Sequence, residues 1–488
     1  MKKNIIFVYD NRNDINSAIT KIVALNTYGD IIYKRQKLQS IVKNLILSEC
    51  TDIDYILINR KKDIEKLIED LDRNNENIYI HFYSSTVITD IEQFKVLIQK
   101  LKFIEEKMVV DKNNPTVLAF NRSFEYKKFL QNDLMMDPNN VIEEYEEIQQ
   151  VAVNECLKNI SIYENFLKFF SGGFEARHFN SLEGNEYIVT KSSTNKAKIK
   201  AEHDYYYLIP DKMKSWFVTP FNYYEDDKRA YYSMERIATP DVALQWVHEA
   251  ISLDDFNTLL NKIMFFVNLR ETSEFTEKEC EDLRNNLYIE KVEQRINQLK
   301  NMKEYDKIKN ILSIGTKYKN IDDIYDEYKK LYEKIIYNKK FDSKKVIGHG
   351  DLCFSNILYY KDINLLKFID VKGANKEEEL WTDVYYDLAK LSHSICGNYD
   401  FFNYDMVDIK VDKNCEIEFN IEKKDTSQFV EIFKNKLIEN GYDYLCVRVF
   451  EISLFISMLP LHIDNPKKVL GFILNAIKII EEVKNYGK

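Results

Sequence analysis

Between His349 and Leu391 the sequence sets side-chain oxygens at intervals that only a chain folded back on itself can bring together. Asp351 and Asn356 lie in His349-Gly350-Asp351-Leu352-Cys353-Phe354-Ser355-Asn356. Asp370 closes an apolar run, and Asp387 opens Asp387-Leu388-Ala389-Lys390-Leu391. Gly350 permits a tight turn at Asp351, so the chain can loop round and aim the Asn356 amide oxygen at the same point. Leu365 to Ile369 (Leu-Leu-Lys-Phe-Ile) reads as a short buried strand that delivers Asp370 from a rigid element. Moving a phosphoryl group off a nucleoside triphosphate needs one carboxylate to orient the acceptor hydroxyl, and oxygen ligands for magnesium. Asp351, Asn356 and Asp370 supply that set; a solvated turn with ordinary surface acids is the competing reading.

These residues resemble the aminoglycoside phosphotransferase and choline kinase family, whose fold is similar to that of protein kinases. His349 to Asn356 looks like its catalytic loop, Ile369-Asp370 like its metal-binding segment, and Asp387 to Leu391 like the element that follows. The resemblance implies an α+β bilobal fold, with a small β-rich lobe and a large helical lobe, working with ATP and Mg2+. It implies Asp351 as catalytic base and Asn356 and Asp370 as metal ligands. His349 and Asp387 are implied as structural support for the loop.

Upstream, Ser171-Gly172-Gly173-Phe174 reads as a glycine turn, followed by a strand, a hairpin turn at Glu183-Gly184-Asn185 and a second strand ending at Lys191. Gly172 and Gly173 are the candidates for covering the phosphates. Lys191, with Glu202 in a helix expected over Ala197 to Leu208, forms a candidate ion pair against those phosphates, and a solvated strand end is the alternative for Lys191. Met234-Glu235-Arg236-Ile237 resembles the family's hinge, where backbone groups of Glu235 and Ile237 would meet adenine. No full Gly-x-Gly-x-x-Gly is present, Asp370 is followed by Val371-Lys372, and no Ala-Pro-Glu appears downstream. These departures argue against a protein kinase switched by activation-loop phosphorylation.

With 488 residues, 45% hydrophobic and 30% charged, and only 12 Gly and 7 Pro, the chain suits two or three helix-rich domains. Residues 1–145 read as an α/β domain of parallel type, with strands at Ile5 to Val8, Tyr55 to Ile58, Ile78 to Phe82 and Val117 to Phe120. Residues 146–170 read as an acidic helical connector, 171–237 as the small lobe and 238–488 as the large helical lobe. The carboxyl-terminal run from Val447 to Val483 is expected to be interrupted at Pro460 and Pro466. The first domain lacks the Gly-x-Gly-x-Arg signature of sugar nucleotidyltransferases near Ile5 to Asn13, so no active residues are nominated there. Asp10 and Asp90 are read as strand-end caps before metal ligands.

The seven cysteines are scattered and never form a Cys-x-x-Cys pair, so neither a disulfide framework nor a zinc site is expected. A net charge of -10 argues against nucleic-acid binding. The basic, apolar start of the chain ends too early, at Asp10 and Arg12, for a signal peptide, and no apolar run is long enough to cross a bilayer. A cytoplasmic location is expected.

The expected function is an ATP- and Mg-dependent kinase phosphorylating a hydroxyl of a sugar, amino sugar or amino alcohol. The α/β domain in front is similar to arrangements in bacterial surface-polysaccharide enzymes, which implies a role in capsule or surface-glycan synthesis. An aminoglycoside antibiotic phosphotransferase and a non-catalytic pseudokinase-like scaffold are the alternatives. Trp381 and Asn398 to Phe402 are candidates for contacting the acceptor, against a core role.

Overall fold

Short runs of β-branched and aromatic residues build the first sheet, as their fit to a pleated, buried surface requires. The computed structural model describes residues 4–33, 36–49, 53–71, 77–103, 105, 108–111, 114–133, 149–151, 156–170, 180–184, 187–413, 417–421, 423 and 425–486. The chain divides into two units, Met1–Ser171 and Gly172–Lys488.

In the first unit six strands are ordered Ile53–Ile58, Ile5–Asp10, Ile78–Tyr83, Asn114–Phe120, Met108–Asp111 and Gln149–Val151. The first three run parallel. Asn114–Phe120 pairs antiparallel with both its neighbours, and Gln149–Val151 returns parallel to Met108–Asp111. The sheet is therefore mixed, not the parallel one expected. The strands Met108–Asp111 and Asn114–Phe120 are too close in sequence for a crossover helix, so they can only form a hairpin. Side chains alternate between two apolar layers: Phe7, Tyr9, Ile80 and Phe82 pack on one face, and Val8, Tyr79, Leu118 and Phe120 on the other. Each such burial stabilises the sheet by about 1.5–3 kcal/mol.

Asp90 caps the helix Ile91–Leu101, accepting the Gln93 N–H at 3.0 Å. Asp10 ends its strand fully buried, gripped by the Arg12 guanidinium at 2.6 Å. The expected helical connector is corrected over its described part. Gln149–Val151 completes the sheet edge and Leu157–Asn159 pairs with Thr86–Ile88, before a helix over Tyr163–Phe170. The acid-rich stretch that prompted the helical reading, at 143–147, lies outside the described residues.

The second unit begins with a four-stranded antiparallel sheet in the order Asn180–Gly184, Ile188–Ser193, Ala230–Glu235, Pro220–Glu225. The helix Lys196–Leu208 packs on it. Asn195 caps this helix by accepting the Lys198 N–H at 3.2 Å, and Ile199, Glu202 and Tyr205 form its buried face. Ile199 meets Ala230 and Tyr232 of the sheet.

Helices dominate thereafter, giving the α+β arrangement of a β-rich part followed by a helical one. Tyr444–Met458 is buried on all sides from Cys446 onward, as a helix apolar all round must be. Contrary to the expectation that no run reaches that length, Tyr444–His462 is long and apolar enough to cross a membrane, yet 83% of its most apolar 18-residue window, of mean hydropathy 1.7, is buried within the protein. It is a core helix. Pro460 falls in a 3-10 turn over Leu459–His462, and Pro466 is the first residue of the helix Pro466–Asn485. There the missing N–H costs nothing, and the run is interrupted between Met458 and Pro466 as expected, with Pro466 opening the second helix.

Candidate active site

The strands Ile357–Tyr360 and Leu365–Phe368 pair in register from Ile357 with Phe368 to Tyr360 with Leu365. That register sets Asn356 against the residue before Asp370, and the Ile369 N–H donates to the Asn356 carbonyl at 3.0 Å. The loops beyond each strand continue side by side, with the Lys372 N–H on the His349 carbonyl at 3.0 Å. Asp370 takes φ +57°, a left-handed conformation uncommon outside glycine, and turns the chain away from its strand. Gly350 is left-handed at φ +80°, and a Cβ there would fall 2.5 Å from the Lys372 Cβ.

Asp387, fully buried at the start of the helix Tyr386–Ile395, accepts three charged or backbone donors. The His349 and Gly350 N–H groups reach it at 3.0 and 2.8 Å, and the buried Arg270 guanidinium at 3.0 Å. His349 is fixed by its partners. Its Nδ1 accepts the Asp351 N–H at 3.1 Å, and its Nε2 donates to the Ile369 carbonyl at 2.9 Å. Burial keeps this imidazole below its ordinary pKa, outweighing Asp387 and Asp351 nearby, so it bridges the two loops in the neutral form.

Lys191 Nζ lies 2.7 Å from Glu202 Oε2 and 2.9 Å from Asp370 Oδ1. Burial would lower the ammonium, but Asp370, Tyr232 and Glu202 hold it well above its ordinary value. Desolvation by the surrounding protein raises the Asp370 carboxyl; Lys191 and then Lys198 outweigh it and hold the group ionised. Asp351 has the same balance: desolvation raises it, and Lys390, with Nζ 2.8 Å from Oδ1, then His349 and Asn356, bring it below the usual carboxylate range. The Asn356 Nδ2 donates to the Asp351 carbonyl at 2.7 Å, which leaves the amide oxygen for a cation. A cavity of about 30 Å³ adjoins this cluster, lined among others by Glu202, Tyr205, Tyr232, Met234 and Asp370.

Glu202 is tied to the loops of Asp351 and Asp370 through its helix. Tyr205, one turn on, donates its hydroxyl to the Gly348 carbonyl at 3.0 Å, and the Ala374 N–H donates to the Ala201 carbonyl at 2.9 Å. Between them Gly373, at φ +88°, lies so close that a Cβ would sit 2.6 Å from the Ala201 carbonyl carbon. Gly373→Ala must push the helix from Asp370 and strain its own backbone. A loss of about 1–3 kcal/mol is expected, read as a lower urea midpoint, together with weaker nucleotide binding.

Of the residues expected in the site, Lys191, Glu202, His349, Asp351, Asn356, Asp370 and Asp387 form one connected set. Glu235 ends its strand, with its carboxylate accepting the Thr219 N–H at 3.1 Å. Ile237 follows, its carbonyl accepting the Thr239 N–H at 2.8 Å. Gly172 and Gly173 lie outside the described residues. Trp381 is a sheet residue packed edge-on against Phe275, Asn398, Asp400, Phe401 and Phe402 are buried, and Tyr399 is half-buried with its ring 4.3 Å from that of His393. Reading the residues alone misses Arg270, Tyr205 and Lys390. Only Lys390 leaves a local signal, three places after Asp387 on the same helix face.

Among the described residues no group of three or more His, Cys, Asp and Glu side chains gathers to hold a metal. The donors available are the Asn356 amide and two carboxylates, an oxygen set that suits a hard cation sharing its remaining positions with phosphate oxygens.

A family model described as "Uncharacterized oxidoreductase dhs-27" (DUF1679) matches residues 199–376. That span holds the Asp351 and Asp370 loops and contains no Gly-x-Gly-x-x-Gly. No curated protein matches. Among solved structures, a thermostable mutant of an aminoglycoside phosphotransferase is 12% identical with a TM-score of 0.37, covering 67% of this chain and 100% of its own. An aminoglycoside 2'-phosphotransferase in complex with GDP is 12% identical with a TM-score of 0.37, covering 64% of this chain and 91% of its own. An ethanolamine kinase of Plasmodium vivax is 14% identical with a TM-score of 0.34, covering 71% and 92%.

Proposed function

We propose that the chain is an ATP- and Mg-dependent small-molecule kinase that phosphorylates a hydroxyl of a sugar, amino sugar or amino alcohol in bacterial surface-glycan synthesis. The observation that carries this reading is the ammonium of Lys191 between Glu202 and Asp370, beside a loop that joins Asp351 to Asn356. A scaffold has no need of a buried lysine bridging two carboxylates next to a third, half-exposed one. Asp351 receives the proton of the acceptor hydroxyl as its oxygen attacks the γ-phosphorus, and ADP leaves with the electrons of the broken P–O bond. Lys191 meets the phosphates, and Glu202 keeps it aimed. Backbone groups of Glu235 and Ile237 face the base. Asn356 and Asp370 would hold magnesium, which would supply neutralisation of the triphosphate charge. A cytoplasmic location fits the need for ATP and the free thiols of Cys280, Cys353, Cys396 and Cys446.

The test is ADP release by the purified chain with ATP, magnesium and a panel of sugars, amino sugars and amino alcohols. Turnover with none of them, and no nucleotide binding, would sink the proposal. Asp370→Ala removes a metal ligand and one partner of Lys191, so magnesium-dependent nucleotide binding is expected to weaken by about 100-fold or more. Calorimetry with and without magnesium reads it, and undiminished affinity counts against the metal role.

A further inference from the structure

The helix Tyr386–Ile395 meets the catalytic loop along one stripe. Asp387, Lys390 and Ser394 are spaced i, i+3 and i+7, the spacing that lines up side chains on one helix face. In the same order along the loop they hold His349 and Gly350, then Asp351, then Phe354. The Asp387 carboxylate accepts the two amides at 3.0 and 2.8 Å, Lys390 Nζ lies 2.8 Å from Asp351 Oδ1, and Ser394 Oγ accepts the Phe354 N–H at 3.1 Å. The outer two contacts fix the backbone on both sides of Asp351. The middle one fixes a carboxylate oxygen.

Beside Lys390, the Asn356 side chain also bears on this carboxylate by a hydrogen bond, with less weight than the Lys390 ion pair. His349 accepts the Asp351 N–H, and the Asn356 amide bonds the Asp351 carbonyl. Asp370 faces it from the next loop with like charge, while Cys353, Tyr386 and Tyr399 lie nearby. Among the described residues Lys390 is the one cation in an ion pair with it.

We propose that Lys390 is a positioning residue for phosphoryl transfer: by holding Asp351 Oδ1 it sets the rotation of the carboxylate and presents Oδ2 to the acceptor hydroxyl. This rests on the kinase reading above. General-base efficiency depends on reach and direction, so a carboxylate free to rotate loses turnover without losing nucleotide. Lys390 itself touches neither substrate.

Steady-state kinetics on wild type, K390M, K390R, D351N and the D351N/K390M double variant test this. Methionine keeps the apolar stem and removes the charge, so the urea midpoint should stay near wild type; if Lys390→Met loses its fold, Lys390→Gln serves the same comparison. K390M is expected to lower kcat by about 10–100-fold at unchanged KM for ATP, and K390R to recover most of it. In the D351N background the same change should cost less than about twofold, because no base remains to be aimed. Wild-type kcat in K390M, a rise in KM alone, or an equal loss in both backgrounds overturns the inference. A wild-type chain that transfers phosphoryl to no acceptor overturns the kinase reading and this inference with it, whereas an active wild type beside an unimpaired K390M overturns this inference alone.

Discussion

Asp351→Asn lowers kcat by about 10²–10⁴-fold while nucleotide affinity stays within about twofold of wild type. The amide has the size and shape of the carboxylate, so the turn at Gly350 and the Asp387 clamp on the loop amides survive. Those contacts run through the His349 and Gly350 backbone and not through the Asp351 side chain. What is lost is an oxygen basic enough to take the hydroxyl proton as the new P–O bond forms. That loss is confined to the transition state and appears in kcat and kcat/KM together, with KM for ATP unmoved. Lys390 loses its ion-pair partner, but it is not fully enclosed, so water can take the vacated hydrogen bonds. Kinetics paired with calorimetry provide the check. Turnover equal to wild type removes Asp351 from the role of base, and a parallel loss of nucleotide affinity reassigns it to binding.

How much of this was legible depends on whether the signal was local. The Asp351 loop, the strand before Asp370 and the first turn of the Asp387 helix each declare themselves within about ten residues, through a glycine at a forced turn and an apolar run of strand length. The Lys191–Glu202 pair is readable because a strand and the helix that follows it are neighbours in sequence, although Lys191 lies inside the strand Ile188–Ser193 and not at its end as expected. Arg270 is not, because it meets Asp387 across 117 residues and its own surroundings, the end of an amphipathic helix, are ordinary. The mixed sheet of the first unit escapes for another reason. Parallel and antiparallel strands share a period of two, and only the short connection between 111 and 114 distinguishes them. Acceptor residues were sought among aromatics after Asp370, where Phe401 and Phe402 are core while Tyr399 and Trp381 are half-buried. An aromatic next to a carboxylate reads the same in a pocket and in a core.

Asp387→Ala carries the largest expected cost in stability, about 3–5 kcal/mol, because removing one partner of a buried pair strands the other. Arg270 is 2% exposed, and although its Nε and Nη2 reach the Val267 and Val384 carbonyls at 3.0 and 3.3 Å, its charge is neutralised by Asp387 alone among the described residues. The His349 and Gly350 amides lose their acceptor as well. Urea unfolding should show the fall in midpoint, and magnesium-dependent nucleotide binding should weaken in the fraction that remains folded, since the same two amides orient the residues before Asp351. Asp387→Asn separates charge from shape. One amide oxygen can still accept a loop N–H, but the Nδ2 group faces donors, so an intermediate loss is expected. The decisive comparison is Arg270→Met combined with Asp387→Leu. If the cost of Asp387→Ala comes from an uncompensated guanidinium, removing both charges costs less than removing the carboxylate alone, and the remaining deficit measures what the two loop amides draw from Asp387. A double variant as unstable as the sum of its single changes would show that the clamp on the loop, and not the ion pair, is what Asp387 provides.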